Sequence, residues 1–326
     1  MDFCSLIKDT SAYKSIKHDK DKGMLSHAYL VVIPDEENLK EYLKVLAKLI
    51  LCPCEEPCND CRVCSLIDSE NYRDLLIFPK DKDSVTVEDA KKLIEESYFR
   101  PVEGDKKVFI LSSAQTMNAQ SQNKILKTLE EPPKNVHIIM GTTSEFPLLS
   151  TIKSRVKKLE VAPFSNAKLI SALKDKCPDE KRLERAVAYG DGTVSKALSL
   201  YGDENLNSLS SLVLDMLENM KTSREVLKYS MAISKFKGDF LEFLSVLELY
   251  FRDMLLYYSG KKELVTNKEI LSSPVLEVGY NASSCVYALE KIEQAKVRKK
   301  FNANATMLLE WLLFQILEGK HKWRKC

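Results

Sequence analysis

The chain has 326 residues, 49 Lys plus Arg against 47 Asp plus Glu for a formal net charge of +2, and 44% hydrophobic residues. Near-neutrality excludes a polyelectrolyte grip on nucleic acid by the chain as a whole. Ten glycines, less than half the usual share of roughly 7%, exclude collagen-like, low-complexity and turn-dense all-β chains and favour helices.

At roughly 150 residues per domain the length predicts two or three domains. No run approaches the roughly 18 apolar residues of a membrane span, and Met1-Asp2-Phe3-Cys4 has no basic head before an apolar core. Neither a signal peptide nor a membrane partner is expected, and the protein is read as cytoplasmic. His27-Ala28-Tyr29-Leu30-Val31-Val32-Ile33, closed by Pro34 and Asp35, predicts a buried strand. Leu39, Tyr42, Leu43, Leu46, Ala47 and Ile50 then recur at helical spacing. Further buried strands are predicted at Leu75-Leu76-Ile77-Phe78, Val108-Phe109-Ile110-Leu111 and Val136-His137-Ile138-Ile139-Met140, with helices over residues 87–99 and 119–129 between them. Strands alternating with helices predict a parallel sheet covered on both faces. After Lys157-Lys158-Leu159-Glu160-Val161 the strands stop. Residues 166–200 read as short helices, and everything from about 205 onward as longer amphipathic helices, with 259–267 a polar loop.

Five of the nine cysteines, Cys52, Cys54, Cys58, Cys61 and Cys64, fall within thirteen residues. An odd, clustered set in a chain with no export signal reads as a metal site, not a disulfide frame. Tetrahedral zinc takes four soft or borderline ligands, and Cys-x-x-Cys turns aim two sulfurs at one point, so the expected ligands are Cys52, Cys58, Cys61 and Cys64. Cys54 is the alternative to Cys52, because Pro53 leaves the local geometry open. An iron-sulfur cluster also uses repeated Cys-x-x-Cys, but the Cys-Pro sequel of a bacterial ferredoxin is missing. Four protein ligands close the coordination sphere, so this zinc is structural.

His27-Ala28-Tyr29-Leu30, the inserted cysteines, Lys124-Ile125-Leu126-Lys127-Thr128-Leu129-Glu130-Glu131-Pro132-Pro133 and Thr151-Ile152-Lys153-Ser154-Arg155 occur in that order. Together they resemble the clamp-loader subunits of bacterial DNA polymerase III, the gamma/tau and delta-prime proteins, which are AAA+ modules. The likeness covers most of residues 20–200 and resumes at Asn302-Ala303-Asn304 and Leu308-Leu309-Glu310. It implies a P-loop NTPase-like α/β domain over 1–162 with a zinc module at 52–64, a helical lid over 163–205 and a helical collar over 206–326.

The departures from the family pattern separate its members. An active member carries Gly-x-x-Gly-x-Gly-Lys-Thr after its first strand, to cradle phosphate. Here Ile33-Pro34-Asp35-Glu36-Glu37-Asn38-Leu39-Lys40 stands there, without a glycine, with Leu39 at the lysine position and three carboxylates, Asp35, Glu36 and Glu37, expected to repel a polyphosphate. Ser112 and Ser113 replace the Asp-Glu pair, and Ser195 the sensor arginine in Gly192-Thr193-Val194-Ser195-Lys196-Ala197-Leu198. No ATP is expected to bind in cis, which implies the delta-prime type. The alternative is an active gamma/tau-like ATPase; a zinc-dependent DNA-binding module lacks the basic-aromatic patch it would need. What is kept is Ser154-Arg155. Alone it reads as a surface arginine beside a strand. Within the resemblance it implies a finger reaching ATP on a neighbouring gamma/tau, in a hetero-oligomer with delta that loads the sliding clamp on primed DNA as part of the polymerase III holoenzyme. His27 reads as a core or capping residue, Glu130 to Pro133 as a helix end or an interface element, and Lys320-His321-Lys322-Trp323-Arg324-Lys325 as a solvated tail.

Overall fold

The computed structural model describes residues 3–80, 84–235, 240–300 and 303–323. The chain divides into two compact units, Met1–Lys176 with Gly192–Ser195, and Cys177–Asp191 with Lys196–Cys326.

The first unit begins with two helices, α1 (Phe3–Ile7) and α2 (Ser11–Asp21), that no periodicity announced. Thr10 caps α2 by accepting from the Tyr13 N–H at 3.3 Å. Then β1 (Ala28–Val32), α3 (Leu39–Leu51), α4 (Arg62–Asp68), β2 (Leu75–Phe78), α5 (Val87–Ser97) and β3 (Lys107–Leu111) alternate. They are followed by α6 (Ala119–Glu130), β4 (Val136–Thr142), α7 (Ser150–Lys153), β5 (Lys157–Glu160) and α8 (Asn166–Leu173). All strand pairs are parallel, in the order β2-β3-β4-β1-β5, with Leu30 opposite Met140 and Ile110 opposite Ile139. The central strands are buried along nearly their whole length because both faces are covered, as the apolar runs within them predicted. On one face Leu30, Phe109, Leu111, Ile138 and Met140 pack with Leu93, Ile125 and Leu129 of α5 and α6. On the other, α3 lies so close that a Cβ on Gly141 of β4 would stand 2.4 Å from Leu43 Cδ1 and 3.2 Å from Leu39 Cγ. The edge strand β5 protects its open side with Lys157, Lys158 and Glu160.

The second unit is helical: α9 (Glu180–Tyr189), α10 (Val194–Gly202, from Lys196 on), α11 (Glu204–Asn219), α12 (Ser223–Ser234), α13 (Phe240–Tyr258), α14 (Ala282–Lys300) and α15 (Ala305–Lys322). Phe243, Leu247, Tyr250, Phe251 and Met254 of α13 form its core with Leu309, Leu312, Leu313 and Ile316 of α15. Asn304 caps α15, accepting from the Thr306 and Met307 N–H groups at 3.0 and 3.2 Å, while Asn302 lies outside the described residues. Two local expectations change. The stretch 259–267 contains a 3-10 turn, Lys262–Leu264, and buried Asp253 pins its end by accepting from the Asn267 N–H at 2.6 Å. The basic run at 320–325 is not a free tail at its start: Lys320 is buried in α15 and donates to the Met220 carbonyl at 3.1 Å, beyond the end of α11. Arg324 and Lys325 lie outside the described residues. Among the described residues no helix is long and apolar enough to cross a membrane.

Candidate functional site

In an open parallel sheet, ligands gather beyond the carboxyl ends of the strands. Here the loop after β1 occupies that position, and Ile33, Asp35, Glu36, Asn38, Leu39 and Lys40 of it are engaged by the protein itself. The Ile33 N–H donates to the Thr142 carbonyl at 2.9 Å. Leu39 is buried against Gly141, so the side chain at the lysine position of the pattern is part of the core. Lys40 pairs with Glu70 at 2.7 Å, and Gln115 donates to Glu36 at 3.2 Å. Ser112 is buried, its hydroxyl donating to the Phe78 carbonyl at 3.1 Å.

Asp35 departs most from expectation. Read as a carboxylate that repels phosphate, it is instead 2% exposed and fully partnered. It accepts from the Tyr42 hydroxyl at 3.0 Å, from Asn38 Nδ2 at 3.1 Å, and from the Val194 and Ser195 N–H groups at 2.9 and 3.4 Å. The last two are the first N–H groups of α10, where orphan donors and the helix dipole favour an anion. Burial, then the Asp35 charge, pushes the Tyr42 phenol well above its ordinary range. Gly192, at φ +72°, brings this segment in; a Cβ there would stand 2.6 Å from Pro163 Cβ. No local signal in the sequence could have revealed the pairing, because Asp35 and Val194 are 159 positions apart.

Arg155 follows the single turn of α7, and its backbone is fixed on both sides. Its N–H donates to the Ile152 carbonyl at 2.9 Å, and its carbonyl lies 3.0 Å from His27 Nε2, which gives His27 its structural place. The guanidinium is part-exposed. Nη1 donates to the Thr151 carbonyl at 2.8 Å and to the Ser154 hydroxyl at 3.3 Å, and Nη2 meets Glu130 at 2.7 Å. The ion pair puts Glu130, at the end of α6, directly beside Arg155.

Four thiols converge between α3 and α4. The Sγ atoms of Cys52, Cys58, Cys61 and Cys64 all lie within 4.8 Å of one another, and Cys54, which is exposed, is not among them. Cys52 Sγ is 3.8 Å from both Cys58 Sγ and Cys61 Sγ, the edge of a tetrahedron whose vertices stand about 2.3 Å from a central zinc. Asn59, at φ +58°, turns the chain so that the Cys61 N–H faces Cys58 Sγ at 3.4 Å, and Cys61 caps α4. Backbone N–H groups of Asp60 and Cys61 hold the Cys58 thiol down at about 6. Burial pushes Cys52 up, but N–H groups of Cys58 and Cys54 turn its net shift downward, whereas burial leaves Cys64 well above its ordinary range. Lys20 donates to the Cys52 and Cys54 carbonyls at 3.0 and 2.7 Å, and Lys48 to Asn59 at 2.9 Å, so lysines of α2 and α3 hold the loop. The foursome has the spacing and donor chemistry to hold a metal ion.

The site thus combines a parallel α/β sheet, a loop closed on itself beyond the sheet's carboxyl end, and an inserted cysteine cluster able to hold a metal ion. The family described as DNA polymerase III, delta subunit, matches residues 8–165. The delta-prime subunit of DNA polymerase III from Bacillus subtilis is 27% identical over 318 residues, 94% of each chain. The tau subunit from the same organism is 26% identical over 276 residues, 75% of this chain and 48% of its own length. Among solved structures, a gamma subunit-related protein from Thermotoga maritima aligns over 95% of this chain and 100% of its own, at 19% identity and a TM-score of 0.42. The chain is thus similar, over nearly its whole length, to clamp-loader subunits of bacterial DNA polymerase III.

Proposed function

We propose that this chain is the delta-prime type of subunit, which hydrolyses no ATP itself and presents Arg155 to ATP held by a neighbouring gamma/tau subunit. The observation that carries the reading is the loop after β1: Leu39 is core, Asp35 is satisfied within the chain, and no glycine opens the backbone to a phosphate. The likeness to delta-prime over 94% of both chains supports it; gamma and tau relatives are similar over less of this chain. A planar guanidinium can brace charge developing on a transferring phosphoryl group, and such fingers are worth roughly 10³–10⁵ in rate. Ser154, whose hydroxyl touches Arg155 Nη1, steadies it.

On this reading the division is an AAA+ module over 1–162, a lid over 163–205 and a collar over 206–326 that assembles with gamma/tau and delta. The complex opens the sliding clamp with ATP bound and closes it on primed DNA when hydrolysis follows, in the cytoplasm. Zinc held by Cys52, Cys58, Cys61 and Cys64 staples the loop between α3 and α4. With four thiolates and no open position, it supplies no catalysis.

In a loader reconstituted with the gamma/tau and delta subunits of the same organism, Arg155→Ala should leave assembly intact and lower DNA-stimulated ATP hydrolysis at least tenfold. Unchanged hydrolysis would refute the finger. Calorimetric titration of the isolated chain with ATP and Mg2+ should show no binding heat; saturable binding would instead establish a gamma/tau-like ATPase.

A further inference from the structure

Arg155 carries a long, flexible side chain, and a guanidinium that must meet a phosphate on another subunit gains from being held in one direction beforehand. Around it, the chain supplies three fixed acceptors. Thr151 O and Ser154 Oγ take Nη1 at 2.8 and 3.3 Å. Both come from α7 and its cap, the same short segment that carries Arg155. Glu130 Oε1, taking Nη2 at 2.7 Å, comes from the far end of α6, and so ties the arginine to a second element. Two features fix where that carboxylate stands. Glu130 is the last residue of α6, with the Glu131 N–H closing the turn on Lys127 O at 2.9 Å, and Pro132 and Pro133 then forbid the helix from continuing. Leu129, one residue earlier, is buried in the core, so the helix end cannot swing.

The strength of the contact matters as much as its place. Both partners are part-exposed, 34% for the Arg155 side chain and 48% for Glu130, and ion pairs of this kind are weak. A buried partner would capture the guanidinium and leave a charge stranded whenever the arginine moved. An exposed one sets its direction, yet yields to the higher charge of a polyphosphate. Among the described residues, Arg155 Nε has no partner, so one side of the guanidinium stays free for a ligand.

We propose that Glu130 is the positioning residue for Arg155, pre-orienting the guanidinium toward the neighbour's ATP without itself touching nucleotide. This inference rests on the reading of Arg155 as a finger, and the test separates the two. In the reconstituted loader, with ATP, clamp and primed DNA, Glu130→Ala should lower kcat for ATP hydrolysis roughly two- to five-fold, the scale of one weak ion pair, while KM for ATP and the melting temperature stay put. Glu130→Gln, which keeps a carbonyl acceptor, should recover most of the loss. In the Arg155→Ala background Glu130→Ala should add nothing, since the pair acts as one unit. If Arg155→Ala is damaging and Glu130→Ala leaves kcat unchanged or raises it, the positioning role is overturned and the finger stands. Additive losses in the double variant, or a drop in melting temperature matching the drop in kcat, also overturn it. If Arg155→Ala itself has no effect, the finger falls first and the positioning role with it.

Discussion

Removing the Asp35 carboxylate should loosen one segment of the first unit by a definite amount. Asp35→Ala deletes the acceptor of the first two N–H groups of α10, and helix caps of this kind are worth about 0.5–2 kcal/mol. It also strands the Tyr42 hydroxyl, which is completely buried and has Asp35 as its partner at 3.0 Å; an orphaned buried donor costs about 1–3 kcal/mol. The two losses share one site and are not additive, so about 2–4 kcal/mol is expected, against about half of that for Asp35→Asn, which keeps one acceptor oxygen. Urea unfolding followed by circular dichroism measures the total, and hydrogen exchange with peptide resolution measures the place. Amides of 192–196 should exchange faster in Asp35→Ala, while those of β3 and β4 keep their protection. A loss under about 0.5 kcal/mol, or destabilisation with exchange at 194–195 unchanged, would refute the assignment of Asp35 as an internal anion for α10.

Two further outcomes follow. Elemental analysis should find one zinc per chain, lost together with order in 52–64 when Cys61 and Cys64 are both replaced by Ser; metal binding should release protons and weaken on acidification, because Cys64 must lose a thiol proton that burial holds on. His137, buried with Nδ1 2.8 Å from the Ser26 carbonyl, is pushed down by burial first, so between its native and unfolded pKa values the unfolded chain binds more protons than the native one. Stability should therefore fall as pH drops below about 6.5, by at most about 1.4 kcal/mol per pH unit from this group, and His137→Asn should flatten that slope; an unchanged slope in the variant would refute it. Glu56, held at about 2 by Lys17 and Lys8, acts far below this window.

What the sequence disclosed follows from how local each signal is. The first four strands and α3, α5 and α6 were legible because apolar runs and helical spacing are properties of ten or fifteen consecutive residues, whereas the short α4 and α7 offer too few turns to show a period. The cysteine foursome was legible because two of its three intervals are Cys-x-x-Cys, a spacing that can be read within one short stretch of chain. The N-terminal helices were not, since α2 carries few apolar residues and owes its place to Tyr13 and Ile16 and to Lys157 gripping Asp19 at 2.6 Å from β5. Asp35 was misread for the same reason. Three acidic residues in a row look like a repelling surface, and only the return of the chain 159 residues later turns one of them inward.

On the proposed delta-prime reading, the loop after β1 and the Arg155 segment differ in one physical respect, their burial. Where a phosphate would enter, the chain has supplied its own anion and its own core: Asp35 at 2% exposure satisfies the donors, and Leu39 at 1% fills the space under them. Reverting such a site takes more than one substitution, because Leu39→Lys alone would thrust an amine against Leu43 and Gly141. Arg155, by contrast, stays part-exposed and is held by a contact weak enough to break. The proposed reading uses both: the buried loop is what leaves no place for a phosphate in cis, and the part-exposed guanidinium is what remains available to a neighbour.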